Sequence, residues 1–238
     1  MKLYVYCLAE AIETSAETVR GVSGAPVRLL KIDDLAALVS DVETDVVQVS
    51  RENVLDHAGV VRSVFDRTTP LPLRFGTLVT EQQLRSYVTT HKPALAAKLA
   101  HVRDCVEMSV KIIWEVSRDD QREQRVPAQG PGTAFLAEKR SEILGDEIRA
   151  EEAKEISAWL HQSISGLTRD EQVNLRPSER LVLAAAHLIE RAKLRQYREK
   201  MAESRENRPE LHFLLSGPWP PYSFVNIGLE FKTQFGVS

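Results

Sequence analysis

The chain has 238 residues, of which 43% are hydrophobic and 27% are charged. This size and composition are typical of a globular protein with one or two domains. The formal net charge of -3 and the pI of about 6.1 provide no overall positive field. The composition therefore argues against nucleic acid as a partner.

Three features predict a cytoplasmic protein with no lipid membrane partner. The longest apolar runs, such as Val182–Ala186, are far shorter than the roughly 20 residues that cross a bilayer. The N-terminus lacks the apolar stretch and cleavage site of a secretory signal. The two cysteines, Cys7 and Cys105, lie in apolar strand-like runs, so we expect buried thiols in a reducing compartment.

The first hundred residues predict the order β-(α)-β-β-α-β. Apolar, β-prone runs indicate strands at residues 3–8, 27–32, 35–42 and 72–79. A polar stretch after the first strand indicates a short helix around Glu13–Glu17, and Asp33 and Asp34 indicate a tight hairpin.

Ser50 is a good N-cap for the main helix of this half. The apolar stripe of that helix is predicted to be Val54, Ala58, Val61 and Phe65. A connecting helix is expected at about residues 80–100, with Pro93 as the position where it kinks or breaks.

The second half predicts the same order of elements. Alternation over residues 106–114 indicates a half-buried strand with Glu107, Ser109 and Lys111 on the solvent side. Residues 117–132 predict a loop. The remaining elements are strands at 173–175, 181–189 and 211–216, a helix at 133–165 and a helix at 190–206. The apolar stripe of the long helix is Ala153, Ile156, Leu160 and Ile164.

The repeated order predicts an α+β fold with two docked domains. Each is expected to be a modified ferredoxin-like βαββαβ antiparallel sheet with helices on one face. The N-terminal domain with its connecting helix is placed at residues 1–102. The C-terminal domain, with the long helix and the C-terminal tail, is placed at residues 103–238.

The sequence contains no recognisable catalytic or cofactor motif. It has no G-x-S-x-G elbow, phosphate loop, G-x-G-x-x-G turn or H-E-x-x-H pair. The six histidines are scattered without metal-ligand spacing. We therefore predict no enzymatic activity, no catalytic residue, no cofactor and no metal site. Glu147, Glu151 and Glu155 form either a solvated helix face or an acidic ridge that meets a basic partner.

Two segments stand out as candidate elements for partner binding or domain locking. In SGPWPPYSF (216–224), the prolines stiffen the backbone and the aromatic residues supply large apolar side chains. This segment either wedges between the domains or presents an anchor to a partner. In PLRFGT (72–77), the glycine permits close backbone approach, and Arg74 pairs either with an internal carboxylate or with a ligand. The candidate residues are Arg74, Phe75, Gly76, Trp219, Pro220, Pro221, Tyr222 and Phe224.

The tail after Val225 alternates apolar and polar residues. It is expected to form an edge strand of this protein or to pair with another chain.

Several stretches, in this order, resemble the gas vesicle protein F/L family (GvpF/GvpL), which comprises accessory proteins of gas vesicle formation. The stretches are YVYCLAE (4–10), DLAALVSDV (34–42), LDHAGVV (55–61), LPLRFGT (71–77), EMSVKIIW (107–114), GPGTAFLAEKR (130–140) and SGPWPPYSFV (216–225). The most specific are PLRFGT and GPWPPYSF, because generic periodicity explains neither. The motifs do not separate the F type from the L type.

The resemblance implies a two-domain α+β protein without enzymatic activity that contacts the small hydrophobic shell protein of the vesicle. The expected function is to bind the major shell protein and support nucleation by limiting its aggregation. Other gas vesicle accessory proteins are further candidate partners. The alternatives are a ferredoxin-like regulatory protein that binds a small ligand, and an enzyme whose site the motifs do not reveal.

Overall fold

The computed structural model describes residues 1–10, 19–114, 131–175, 178 and 181–227, with only the backbone for helix residues 131–146. The predicted helix around residues 13–17, the tail beyond residue 227 and the predicted loop as far as residue 130 lie outside the described residues. The chain divides into two compact units. One unit is Met1–Glu107 with the segment from Pro218 onward, and the other is Met108–Gly217. The domain division at residues 102 and 103 stays a prediction.

The first sheet has five strands. They are β1 (Lys2–Glu10), β2 (Arg28–Ile32), β3 (Leu35–Val42), β4 (Leu71–Pro72) and β5 (Leu78–Val79). The order is β2-β3-β1-β4, and β5 also pairs with β1. All these pairings are antiparallel. The central strand is buried from Leu3 to Ala9, as its uninterrupted apolar run predicts.

The second sheet repeats this order. Its strands are β6 (Cys105–Trp114), β7 (Thr168–Asn174), β8 (Leu181–Glu190) and β9 (Leu211–Trp219), in the order β7-β8-β6-β9. In each sheet the first strand of the set lies between the third and the fourth, which is the arrangement of a ferredoxin-like sheet. The predicted α+β fold class is confirmed.

Five α-helices are described. They are α1 (Arg51–Phe65), α2 (Glu81–Thr90), α3 (Lys92–Val102), α4 (Pro131–Ser163) and α5 (Leu194–Asn207). The predicted connecting helix is two helices, because the chain breaks at His91 and Pro93 occupies the first turn of α3. Within the described residues, no helix is both long and apolar enough to cross a membrane.

The inner face of α1 differs from its predicted apolar stripe. Ser50 caps the helix by accepting a hydrogen bond from the Asn53 N–H, as predicted. Val54 and Ala58 are nevertheless exposed, whereas Asn53 and His57 are buried. Polar contacts described below hold these two residues inside, so apolar periodicity alone assigned part of the wrong face.

The second unit follows its apolar pattern closely. Ala153, Ile156, Leu160 and Ile164 are all buried, which confirms the predicted stripe of the long helix. On the sheet side, His187 is buried and its Nδ1 lies 2.7 Å from the Tyr197 hydroxyl of α5. Burial lowers the pKa of this imidazole to about 4.

Candidate functional site

The PLRFGT segment forms a tight turn between β4 and β5. The Thr77 N–H donates to the Arg74 carbonyl at 3.3 Å, and the Thr77 hydroxyl donates to the same oxygen at 2.7 Å. Gly76 sits at the third position of this turn with φ of +84°, a backbone conformation that favours glycine. The geometry of the turn therefore explains the glycine in PLRFGT.

Tyr4, the third residue of β1, holds this turn in place. Its hydroxyl accepts a hydrogen bond from the Gly76 N–H at 3.1 Å, and its ring meets the Phe75 ring edge-on at 6.0 Å. The same hydroxyl lies 2.9 Å from Nδ1 of His57 on α1. Since the hydroxyl already accepts from Gly76, its own proton is available to Nδ1. One buried tyrosine thereby joins a strand, a turn and a helix.

His57 is held neutral in this position. Its ring also packs against Phe75 at 5.9 Å and Tyr6 at 5.6 Å. Burial lowers the pKa of the imidazole to about 4. Nε2 lies toward the Leu73 backbone but has no partner of hydrogen-bond geometry among the described residues. A neutral ring can be buried here at much lower cost than a charged one.

The proline–aromatic segment, residues 216–224, is attached to the first unit from Pro218 onward. The Arg62 guanidinium of α1 donates to the Pro218 carbonyl at 3.2 Å. Pro220, Pro221 and Phe224 are buried. The Tyr222 N–H donates to Pro220 and the Phe224 N–H donates to Pro221, so the segment is folded into consecutive tight turns.

Glu107 fixes the C-terminal end of this segment. Its carboxylate accepts from the Ser223 N–H at 2.8 Å and from the Ser223 hydroxyl at 2.7 Å. Glu107 is buried, whereas strand alternation assigned it to solvent; that prediction is wrong because Ser223 covers the carboxylate. Charge-assisted hydrogen bonds of this kind are stronger than neutral ones.

Two aromatic side chains of the segment stay accessible. Trp219 is 47% exposed and Tyr222 is 40% exposed. Burial nevertheless raises the pKa of the Tyr222 hydroxyl to about 12, with Cys7 and Glu107 adding to the effect. The environment of the hydroxyl therefore disfavours its charged form, although part of the side chain remains open to solvent.

The two candidate segments converge on one buried residue. Tyr4 contacts Phe75 and Gly76 directly, and Tyr222 adds to the raised pKa of the Tyr4 hydroxyl. Burial, its main cause, raises the pKa of Tyr4 well above the usual value. The strand, the PLRFGT turn and the proline–aromatic segment are thus parts of one arrangement.

The predicted residues differ in their exposure to solvent. Phe75 and Gly76 are half-buried and Pro220, Pro221 and Phe224 are buried, whereas Arg74, Trp219 and Tyr222 are exposed. The side chain of Arg74 has no carboxylate partner in the described part of the chain. Sequence reasoning missed Tyr4, His57, Arg62 and Glu107. The available signal was the presence of a polar residue in a strand or on an apolar helix face. This signal does not identify the residue to which the polar group is hydrogen-bonded.

The second unit contains an open groove between α4 and α5. The groove has a volume of about 330 Å³ and is lined by Trp159, Gln162, Ser163, Lys200, Glu203, Ser204 and Asn207. Lys200 and Glu203 already pair with each other at 2.7 Å, so neither charge is directed at a ligand. Across the described ranges, no group of three or more metal-ligating side chains is found.

Comparison with known proteins gives a consistent result over the chain. The family model "Gas vesicle synthesis protein GvpL/GvpF" matches residues 2–226. Gas vesicle protein L1 of Halobacterium salinarum is 27% identical, with 93% of this chain and 89% of that protein covered. Gas vesicle protein F1 of the same organism is 26% identical, with 98% and 97% covered.

A solved structure shows the same fold. The crystal structure of the gas vesicle protein GvpF from Anabaena sp. PCC7120 superposes with a TM-score of 0.77 at 20% identity. The superposition covers 95% of this chain and 96% of that one.

Proposed function

The chain belongs to the gas vesicle synthesis protein GvpL/GvpF family, and we propose that it acts by binding the major gas vesicle shell protein before assembly. Membership supports an accessory role in gas vesicles, in a family that is not a known class of enzyme. Shell binding, support of nucleation and a cytoplasmic location on the vesicle are the proposed refinements.

The physical reason for such a partner is the aggregation hazard of a shell subunit. A subunit that lines a gas space must expose apolar surface before it is incorporated. A protein that covers part of this surface keeps the subunit soluble and delivers it to the growing shell. The required feature is an accessible apolar anchor on a support that does not rearrange.

The accessible pair Trp219 and Tyr222 is the observation that carries the proposal. Aromatic side chains are enriched among the residues that dominate binding energy. Their backbone is held by buried prolines and by the Ser223–Glu107 hydrogen bonds, so docking costs little conformational entropy. Arg74 is a second candidate contact, because it is exposed beside the half-buried Phe75.

The test is co-purification of the tagged chain with the shell protein expressed alongside it. We expect the wild type to retain soluble shell protein, and the W219A/Y222A double variant to lose most of it. The same variant is expected to abolish vesicle formation in cells that depend on this protein. Normal vesicles and full retention by the double variant would refute the assignment.

A matched control distinguishes the loss of a specific contact with the shell protein from the loss of any exposed apolar surface. Val173 and Leu175 are 39% and 40% exposed, close to the values of Trp219 and Tyr222. The V173A/L175A variant should retain shell protein like the wild type. If neither wild type nor control retains it, the partner is another accessory protein or a small ligand. A metabolite that raises the melting temperature would favour the ligand alternative.

A further inference from the structure

Exposed apolar side chains on α1 and just before it are a feature of the first unit that the proposed function does not use. Leu55 is 59% exposed and Val49, just before the N-cap, is 66% exposed. Val46 and Val54 are also exposed, so four large apolar side chains face solvent within ten residues. Val49 and Val54 occupy the positions of a hydrophobic staple at the helix start.

The middle of the exposed face of α1 carries only small residues. Ala58 and Gly59 follow Val54 and Leu55 one turn later and are exposed. A Cβ atom added at Gly59 would meet nothing within 4 Å. A helix face with small residues at its centre permits another helix to approach closely, and packed helices lie about 8–10 Å apart.

The charges on α1 are arranged symmetrically about this centre. Arg51 and Asp66 lie at equal sequence distances on either side of the Ala58–Gly59 step, as do Leu55 and Arg62. Arg51 has no carboxylate partner among the described residues, and Asp66 pairs with Arg62 at 2.9 Å. In an antiparallel pair of α1 helices, each Arg51 therefore meets the Asp66 of the second copy.

We infer that α1 docks against α1 of a second copy of this chain, antiparallel, with the two-fold axis at the Ala58–Gly59 step. The apolar part of Leu55 then packs on the aliphatic stem of the second copy's Arg62. The antiparallel arrangement also places opposite helix dipoles side by side. Charge and shape complement each other under the same two-fold rotation, which is the requirement for an isologous dimer.

The expected dimer is weak. A single pair of helices buries less than the roughly 1,200 Å² typical of stable complexes. Association should therefore depend on protein concentration, with a monomer at low concentration. The proposed dimer contact uses neither Trp219 nor Tyr222, but it shares Arg62 with the proline–aromatic segment, where this side chain donates to the Pro218 carbonyl.

The first test is disulfide trapping in the full chain. Ala58→Cys places a thiol at the proposed axis, while Cys7 and Cys105 are buried and free. Mild oxidation should convert Ala58→Cys into a covalent dimer. The control is Ala97→Cys, an exposed alanine on α3, which should remain monomeric. Equal rates for the two variants would overturn the inference.

The second test is a charge swap measured by sedimentation velocity. Asp66→Arg should weaken the dimer about tenfold, because two attractive pairs become repulsive. The R51D/D66R double variant should recover most of this loss. Both variants lack the Arg62–Asp66 pair within the chain. A stronger dimer in the double variant therefore reports the contact between residues 51 and 66 of the two copies. A monomer at all concentrations, or no recovery, would contradict the inference. W219A/Y222A should still dimerise, and Arg51→Asp, which does not touch the Arg62–Pro218 contact, should still retain shell protein, so the two proposals fail separately.

Discussion

Two helices in this molecule belong to units with the same sheet order, yet different contacts hold them. The inner face of α1 carries the buried polar residues Asn53 and His57. Asn53 accepts from the Ser23 N–H at 2.8 Å and donates to the Gln48 carbonyl at 2.9 Å. In contrast, α4 packs on its sheet through a stripe of apolar residues from Ala153 to Ile164.

The difference indicates that two kinds of contact hold a helix on a sheet. One supplies most of the burial energy, and the other fixes where the helix lies. An apolar stripe contributes most of the burial energy but tolerates small shifts. A buried hydrogen bond contributes about 1 kcal/mol net and is lost when its partner moves, so it specifies position. In the first unit, the polar contacts of α1 position Tyr4 and, through it, the PLRFGT turn.

The largest expected effect concerns the apolar helix. Leu160→Ala in α4 should reduce the free energy of unfolding by about 3 kcal/mol, because the buried Leu160 side chain is replaced by a cavity. Urea titration measures the change. Glu155→Ala, on the exposed side of the same helix, is the control and should change stability little. An equal loss of stability in both variants would contradict the expected difference between the buried and the exposed face of α4.

A polar substitution in α1 should have the next largest effect. Asn53→Ala should cost about 2–3 kcal/mol, because it leaves the Ser23 N–H and the Gln48 carbonyl without their partner. Asn53→Leu adds apolar volume at the same site and should not restore stability. A fully stable Asn53→Leu variant would show that the polar contacts do not position α1.

Acidification should destabilise both units through their buried histidines. His57 and His187 each have a pKa of about 4 in the fold, against an ordinary value of 6.5. Between these values the unfolded state binds more protons, so stability falls as pH is lowered from 7 toward 4. The loss should be about 2 kcal/mol per histidine at pH 5.

The measurement is urea titration at pH 7 and pH 5. His57→Gln should lose part of the pH dependence, and His187→Gln should lose a similar part in the other unit. If both single variants kept the full dependence, carboxylates would be its source instead.

The smallest effect is expected where Ser223 meets Glu107. Ser223→Ala removes the hydroxyl hydrogen bond but keeps the backbone one, so the loss should be about 1 kcal/mol. The informative readout is hydrogen exchange of the Phe224 amide, which should accelerate in Ser223→Ala. Unchanged exchange would mean that the hydroxyl hydrogen bond does not help to hold the segment.

Much of this fold was predictable because its signals are local. The β2–β3 hairpin at Asp33, the Ser50 cap, the break at Pro93 and the apolar stripe of α4 each depend on residues within a few positions of one another. The resemblance to the GvpF/GvpL family rested mainly on PLRFGT and GPWPPYSF, which periodicity does not explain. Chain order and period sufficed for the fold class, although the strand expected at residues 72–79 is largely a turn between β4 and β5.

The sequence by itself determined the fold class, most of the elements and the identity of the two unusual segments. Only the tertiary structure decided which polar residues are buried and which aromatic residues remain accessible. Glu107 is buried because Ser223, 116 positions later, satisfies its carboxylate. Burial of a polar group depends on a partner, and when the partner is distant in sequence no local pattern contains it.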